Sequence, residues 1–172
     1  MAEPVRPVLV IGFGNTLRSD DGVGWLLAGE VEATPEPGLE VRQVQQLTPE
    51  LAADVARARL VIFLDARIQA SSGRDVGPRD SQNRVSIETV IPTGDAPLMH
   101  GLTPGHLLAL ACALYGKSVP ARVVSILVDS LDLGDKLSPQ VSRAMPAALA
   151  ATWGLIRSPE ISGVIASAEF SF

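Results

Sequence analysis

The sequence predicts an α/β fold: a single three-layer α/β/α domain whose five-stranded, mostly parallel sheet is covered by helices on both faces. Short continuous apolar runs, such as 7–12 and 59–65, are typical of strands that are buried on both faces. Helical patterns of roughly 10–15 residues alternate with the strands, as in parallel sheets built from crossover connections. No internal repeat or linker divides the chain, so we expect one domain over 1–172.

Each element has its own pattern. The strand segments are residues 7–12, 39–44, 59–65, 84–91 and 121–128. The helix segments are residues 22–33, 49–58, 104–115 and 139–156. Residues 66–83 are polar and rich in Gly, Ser and Arg, which predicts a long exposed loop. Residues 157–172 show no clear period and are treated as a C-terminal tail of unassigned structure.

Polar residues stand where the helices are predicted to begin. Ser19 or Asp20 is available as the N-cap of the first helix, because short polar side chains accept the free N–H groups there. Thr48, Thr103 and Ser138 each precede a proline, and proline suits the first position of a helix. The sequence therefore predicts side-chain caps for the first two helices, the second from Thr48, and helix starts at Thr103-Pro104 and Ser138-Pro139.

The composition excludes several classes of protein. The 172 residues have a net charge of −5 and no run of lysine or arginine, so the electrostatic signature of nucleic-acid binding is missing. The first residues lack the basic start and apolar stretch of a signal peptide, and no apolar run approaches the ~20 residues that span a bilayer. We expect a cytoplasmic monomer without nucleic-acid or membrane partners.

Serine and cysteine nucleophiles are disfavoured. The chain has no Gly-x-Ser-x-Gly elbow. Its one cysteine, Cys112, excludes an internal disulfide and a cysteine zinc cluster. Because Cys112 lies in an apolar helical segment without basic neighbours, we expect it to be a small buried hydrophobic residue.

The stretch IGFGNTLRSDDGVG, residues 11–24, resembles a phosphate-binding loop only in part. Gly12 and Gly14 fit the dinucleotide fingerprint, but Leu17 occupies the place of its third glycine, and Gly-Lys-Ser/Thr is absent. Two carboxylates at the start of a helix would repel a phosphate and would instead satisfy the helix N–H groups themselves. These features disfavour a nucleotide site and favour a cation site.

Three aspartates are the candidate cation ligands. One carboxylate of the pair Asp20 and Asp21 can cap the helix, which leaves the other free. Asp65 ends a strongly apolar strand, and a buried carboxylate is costly unless it is paired, hydrogen-bonded or bound to a metal. It either accepts backbone N–H groups at the strand end or serves as a metal ligand. Both positions follow apolar strands, at the edge where α/β sheets bind ligands.

Two histidines complete the set of candidates. His100 lies in a loop before the third helix and can reach the same sheet edge, whereas His106 falls in the first turn of that helix and is the alternative. Two histidines exclude a site with three histidine ligands. Two carboxylates and one imidazole suit a divalent transition metal that keeps open positions.

Four segments of the chain resemble the nickel–iron hydrogenase maturation endopeptidases. The matching segments are residues 8–24, 46–66, 100–116 and, more weakly, 133–149, in the order of the family. The resemblance implies a twisted five-stranded sheet between helices. It also implies a hydrolase that removes a C-terminal extension from the hydrogenase large-subunit precursor after nickel insertion. The non-catalytic alternative is a nickel-sensing chaperone of the same subunit.

The resemblance also assigns roles to individual residues. It places the metal-binding, catalytic trio of the family on Asp21, Asp65 and His100, the last through the pattern His-x-Leu-Thr-Pro. The nickel is the one already held by the precursor, and another divalent metal is expected to bind in vitro. Asp20 is then a cap or a support of the ligands, and Asn15 shapes the turn. The polar loop 66–83 is longer than the connection usual in the family.

Overall fold

The computed structural model describes residues 6–68, 84–94, 101–129 and 131–158. Within these ranges the chain forms one five-stranded sheet and four α-helices. The strands are β1 (Val8–Phe13), β2 (Leu39–Val44), β3 (Leu60–Ile68), β4 (Val85–Thr89) and β5 (Ala121–Val128). The helices are α1 (Val23–Glu32), α2 (Leu51–Arg57), α3 (Pro104–Tyr115) and α4 (Pro139–Ile156). No helix in the described ranges is both long and apolar enough to cross a membrane.

The strand order in the sheet is β2-β1-β3-β5-β4. Neighbouring strands are parallel, except that β4 runs antiparallel to β5 at one edge. The predicted α/β class and the mostly parallel sheet of five strands are therefore confirmed. The carboxyl ends of β1, β3 and β5 lie at the same edge of the sheet.

Both faces of the sheet are buried, so the structure has two apolar cores. On one face, Val10 and Ile62 belong to a cluster with residues of α1 and α4. On the other face, Ile11 and Phe63 belong to a cluster with residues of α2 and α3. Because successive side chains of a strand point to opposite faces, a strand covered on both sides has no polar position. This arrangement explains the continuous apolar runs.

Strand β3 is longer than its apolar run predicts. It continues to Ile68, because residues 65–68 pair with Ser125–Val128 of β5. Strand β1 makes its last pairing with β3 between Gly12 and Leu64, one position before Asp65. The prediction that Asp65 ends the strand and that a loop begins at residue 66 is therefore wrong. The remainder of that predicted loop, residues 69–83, lies outside the described residues.

The predicted starts of α3 and α4 are confirmed, whereas the predicted side-chain caps of α1 and α2 are wrong. The hydroxyls of Thr103 and Ser138 each accept the backbone N–H three residues later, and a proline follows each of them. Helix α2 instead begins at Leu51, with Glu50 at the N-cap position and no side-chain cap. The carbonyl of Thr48 accepts the Leu51 N–H at 3.2 Å. A tighter turn therefore precedes this helix and removes Thr48 from the capping position.

The expectation that Cys112 is buried is wrong. Its side chain is exposed. Helix α3 turns Leu107, Leu108 and Ala111 into the core, whereas its last turn exposes Cys112 and Leu114. The apolar pattern of the segment does not reveal that the last turn of α3, from Cys112 to Tyr115, is exposed.

Glycine is required where α1 crosses the sheet. A Cβ on Gly24 would overlap the carbonyl oxygens of Leu64 and Phe13, which belong to the backbones of β3 and β1. We expect Gly24→Ala to lower the free energy of unfolding by about 2 kcal/mol, because these backbones must move. Equilibrium urea denaturation measures the change.

Gly154 in α4 provides a matched control, because a Cβ there meets no atom within 4 Å. Gly154→Ala should raise stability by roughly 0.5–1 kcal/mol, since alanine loses less backbone entropy than glycine in a helix. Equal effects of the two substitutions would contradict the close packing at Gly24.

Candidate functional site

The glycine-rich segment after β1 makes a sharp turn rather than a phosphate-binding loop. Gly14 has φ of 139°, and a Cβ there would overlap the carbonyl oxygen of Asp21. A Cβ on Gly12 would overlap the carbonyl oxygen of Gly24 in α1. These two glycines allow the turn and the start of α1 to pack directly against the end of β1. Their role is close packing of protein backbone.

The turn leads into a short 3₁₀ helix, Ser19–Gly22, which holds both aspartates. The Asp21 carboxylate accepts the backbone N–H of Asn15 at 3.0 Å. The side-chain oxygen of Asn15 in turn accepts the N–H of Leu17 at 2.9 Å. The Asp21 carboxylate is therefore held by the turn that precedes it, and Asn15 makes the internal hydrogen bond that shapes this turn.

Asp20 has a different role from the one predicted. Helix α1 begins after Gly22, without a side-chain cap, so neither Ser19 nor Asp20 caps it. The intervening 3₁₀ helix moves both residues away from the start of α1. Asp20 is buried, with 4% of its surface exposed. Its carboxylate accepts, at 2.7 Å, the backbone N–H of Ser138, and Ser138 is the N-cap residue of α4.

We refer to residues 15–22, the turn together with the 3₁₀ helix, as the acidic turn. The segment between β5 and α4 is hydrogen-bonded to it. The Ser19 N–H donates to the carbonyl of Gly134 at 2.8 Å, and the Gly134 N–H donates to the carbonyl of Leu17 at 3.1 Å. The Arg18 side chain donates to the carbonyl of Leu131 at 3.3 Å. The sequence does not reveal this contact, because hydrogen bonds between backbone groups distant in sequence leave no motif.

Asp65 lies at the carboxyl edge of the sheet, one position beyond the last pairing of β1 with β3. Its side chain stands on the same face as Phe63, which is the face that α2 and α3 cover. One carboxylate oxygen accepts the N–H of Ala66 at 2.8 Å. The 3₁₀ helix that carries Asp21 packs against β3. The structure therefore brings the two predicted carboxylates into one region.

Burial raises the pKa of the Asp65 carboxyl to about 7. The hydrogen bond from the Ala66 N–H opposes this rise, because it stabilises the ionised form. The negative charge of Asp21 adds to the rise, which identifies the two carboxylates as electrostatic neighbours. A carboxylate that is desolvated and faces a like charge is stabilised by a proton or by a cation.

A polar row continues from Asp65 across the sheet. Ser125 of β5 is the register partner of Asp65 and is buried, with 4% exposed. Its hydroxyl lies 2.8 Å from the hydroxyl of Ser86 in β4, which donates to Glu88 at 3.3 Å. Sequence analysis did not identify these serines, because a single serine in an alternating strand is not a distinguishing signal.

The donor chemistry of Asp21 and Asp65 fits a divalent cation. Both supply hard oxygen ligands. Burial and the like charge of Asp21 raise the pKa of Asp65, and a cation would relieve both effects. Among the described residues, no group of three or more His, Cys, Asp or Glu side chains could hold a metal ion. The predicted third ligand, His100, lies outside the described residues.

His106, the alternative to His100, serves as part of a helix cap. Its backbone N–H donates to the Thr103 hydroxyl at 3.3 Å, and its ring Nδ1 accepts the Thr103 N–H at 3.2 Å. This reciprocal arrangement is a capping box with histidine in the position usual for Glu or Gln. The Nδ1 atom of His106 is therefore occupied by its hydrogen bond with Thr103 at the start of α3.

Comparison with known proteins identifies the fold. No family model matches the sequence, and no curated protein matches it. Solved structures do match. The hydrogenase maturating endopeptidase HybD from E. coli aligns with a TM-score of 0.66 and 20% identity, over 88% of this chain and 92% of that chain.

Two further structures give the same result. The [NiFe] hydrogenase maturation protease HycI from Thermococcus kodakarensis aligns with a TM-score of 0.64 and 18% identity, over 89% of this chain and 94% of that chain. HybD from the same organism aligns with a TM-score of 0.62 and 24% identity, over 88% and 99%. This chain therefore has the fold of the hydrogenase maturation proteases, which confirms the fold that the sequence resemblance implies.

The raised pKa of Asp65 predicts a pH-dependent gain from Asp65→Asn. The folded state holds the Asp65 proton more tightly than the unfolded chain does. The resulting stability is complete below the ordinary Asp pKa of about 4 and is lost as the pH rises to about 7. Asn cannot ionise and keeps an acceptor for the Ala66 N–H. The variant should match wild type at low pH and exceed it at pH ~8. The pKa difference corresponds to about 4 kcal/mol, which solvent screening of the partly exposed carboxyl reduces to the order of 2 kcal/mol.

The measurement is urea denaturation of both proteins in EDTA at each pH, so that contaminating cations do not contribute. Asp135→Asn, at an exposed position, is the matched control and should show no comparable gain. A difference between Asp65→Asn and wild type that is the same at both pH values would contradict the raised pKa.

Proposed function

We propose that this chain is a nickel–iron hydrogenase maturation protease. In this proposal it is a hydrolase that removes the C-terminal extension of the hydrogenase large-subunit precursor after nickel has been inserted. The observation that supports it most directly is the fold of the maturation proteases with Asp21 and Asp65 together at the carboxyl edge of the sheet. The resemblance of four sequence segments to the family is independent of that geometry.

In this proposal Asp21, Asp65 and His100 contact the nickel that the precursor already holds. The nickel is then part of the substrate, and a precursor without it lacks the group that these ligands recognise. Bound next to the scissile bond, nickel can polarise the carbonyl or lower the pKa of a water molecule. The cleavage is thus metal-dependent, with carboxylates as the principal protein groups.

The protein groups have separate tasks. Asp65 is partly protonated near neutral pH, and it releases its proton when its carboxylate becomes a ligand. Asp21 is kept in place by the Asn15 N–H, and Asp20 fixes the turn to α4 without approaching the metal as a ligand. We place the reaction in the cytoplasm, where a monomer meets the folded precursor.

Mass spectrometry of the large-subunit precursor tests the function directly. Incubation of the nickel-loaded precursor with this chain should lower the mass of the precursor by that of its C-terminal extension. The nickel-free precursor should keep its mass, because it offers no metal to the carboxylates.

Two other results are informative. Tight binding of the loaded precursor without any loss of mass would instead support a non-catalytic, nickel-sensing chaperone. Equal cleavage of loaded and nickel-free precursors would contradict recognition through nickel while leaving the protease activity in place.

The two histidines differ in expected importance. His100→Ala should abolish processing of the nickel-loaded precursor and leave the thermal unfolding midpoint unchanged, because in this proposal the substitution removes only a ligand of the nickel. His106→Gln should keep processing near the wild-type rate, since Gln can replace the ring in the capping box. The reverse ranking of the two variants in the same mass assay would assign the ligand role to His106.

A further inference from the structure

Two leucines beside the acidic turn are strongly exposed. Leu17 is 65% exposed and Leu133 is 87% exposed. They belong to different segments, one between β1 and α1 and the other between β5 and α4. We refer to these two residues as the leucine pair.

The leucine pair is held together by backbone hydrogen bonds. Arg18 and Gly134 form an isolated parallel β-bridge, through the bonds from Ser19 to Gly134 and from Gly134 to Leu17. Leu17 and Leu133 each precede a bridged residue, so their positions lie alongside each other, as neighbours do on parallel strands. The buried bond between Asp20 and Ser138 fixes the same two segments a few residues further on. The pair is therefore presented by a tied backbone.

The leucine pair is also connected to the carboxylate site. The Leu17 N–H donates to the Asn15 side chain, and the Asn15 N–H donates to the Asp21 carboxylate. Two consecutive hydrogen bonds thus link the backbone of Leu17 to the candidate ligand. A group that engages Asp21 would lie beside the surface that Leu17 presents.

We propose that the leucine pair contacts an apolar stretch of the precursor polypeptide next to the bond that is cleaved. This inference rests on the proposed function, because the occupant is its protein substrate. The continuity with Asp21 supports this occupant, since Asn15 hydrogen-bonds both the Asp21 carboxylate and the Leu17 N–H, which places the pair beside a polypeptide that is bound at the carboxylates. The flanking charges are of both signs, from Arg18 to Asp132 and Asp135, so the surface has an apolar centre and a charged surround typical of protein contacts.

Exposed apolar residues far from the carboxylates provide the control. Ile91 is 73% exposed, and it follows Val90, whose N–H donates to the carbonyl of Ala121 at the first residue of β5. Ile91 therefore lies near the amino end of β5, opposite the edge that holds Asp65. Leu114, 62% exposed, lies in the last turn of α3.

The experiment compares three double variants of the full chain. In Leu17→Ser/Leu133→Ser the pair becomes polar, in Leu17→Met/Leu133→Met it stays apolar, and Ile91→Ser/Leu114→Ser is the matched control. Steady-state cleavage of the nickel-loaded precursor gives kcat and KM, and calorimetry with the nickel-free precursor gives the affinity without the metal contact. Circular dichroism and thermal unfolding verify that each variant is folded.

We expect the serine variant of the pair to raise KM about tenfold and to weaken precursor binding to a similar extent, as loss of a central apolar contact does. Its kcat should stay within about twofold, because the carboxylates are untouched. The methionine variant and the Ile91/Leu114 control should behave as wild type. A serine variant that matches the control in both KM and affinity overturns the proposal.

Other outcomes assign the pair differently and also overturn the proposal. A wild-type dimer in sedimentation velocity that the serine substitutions dissociate would identify a second copy as the occupant. A loss of thermal stability from the serine substitutions that disappears when residues 159–172 are removed would identify the C-terminal segment of this chain. If wild type cleaves the precursor but substitution of the leucine pair has no effect, this inference alone is contradicted. If wild type neither cleaves nor binds the precursor, the proposed function is contradicted as well.

Discussion

The buried hydrogen bond between the Asp20 carboxylate and the Ser138 N–H is the interaction on which the site depends. It joins residues that are 118 positions apart, at the start of the acidic turn and at the start of α4. An ionised acceptor makes this bond stronger than a neutral one, and the helix dipole of α4 favours the negative charge. With this anchor in place, the neighbouring bridge between Arg18 and Gly134 can hold the turn, and the turn can hold Asp21.

The surroundings of Asp65 destabilise its negative charge, whereas those of Asp20 stabilise the charge of that residue. Asp20 is buried with a strong donor, whereas Asp65 is only partly buried, lies near another carboxylate and has a pKa of about 7. Its environment disfavours the charge that a metal ligand needs. Such an arrangement costs stability in the absence of a cation and favours cation binding, which is the relation expected at a functional site.

The sequence anticipated most of the fold, and two of its errors share one cause. The apolar runs identified the five strands, and Thr103 and Ser138 marked two helix starts correctly. The true end of β3 and the true role of Asp20 depend on partners from β5 and α4. Local pattern does not contain those partners, because strand pairing and long-range hydrogen bonds depend on which segments pack together.

By itself the sequence determined the α/β class, and it predicted a carboxylate-rich candidate site after the apolar strands. These features follow from local rules: side-chain alternation, the cost of a buried charge and the chemistry of each ligand type. Only the tertiary structure decided that Asp20 secures α4 and that Leu17 stands beside Leu133. Each of those roles depends on the geometry of backbone groups brought together by folding, which residue type alone does not specify.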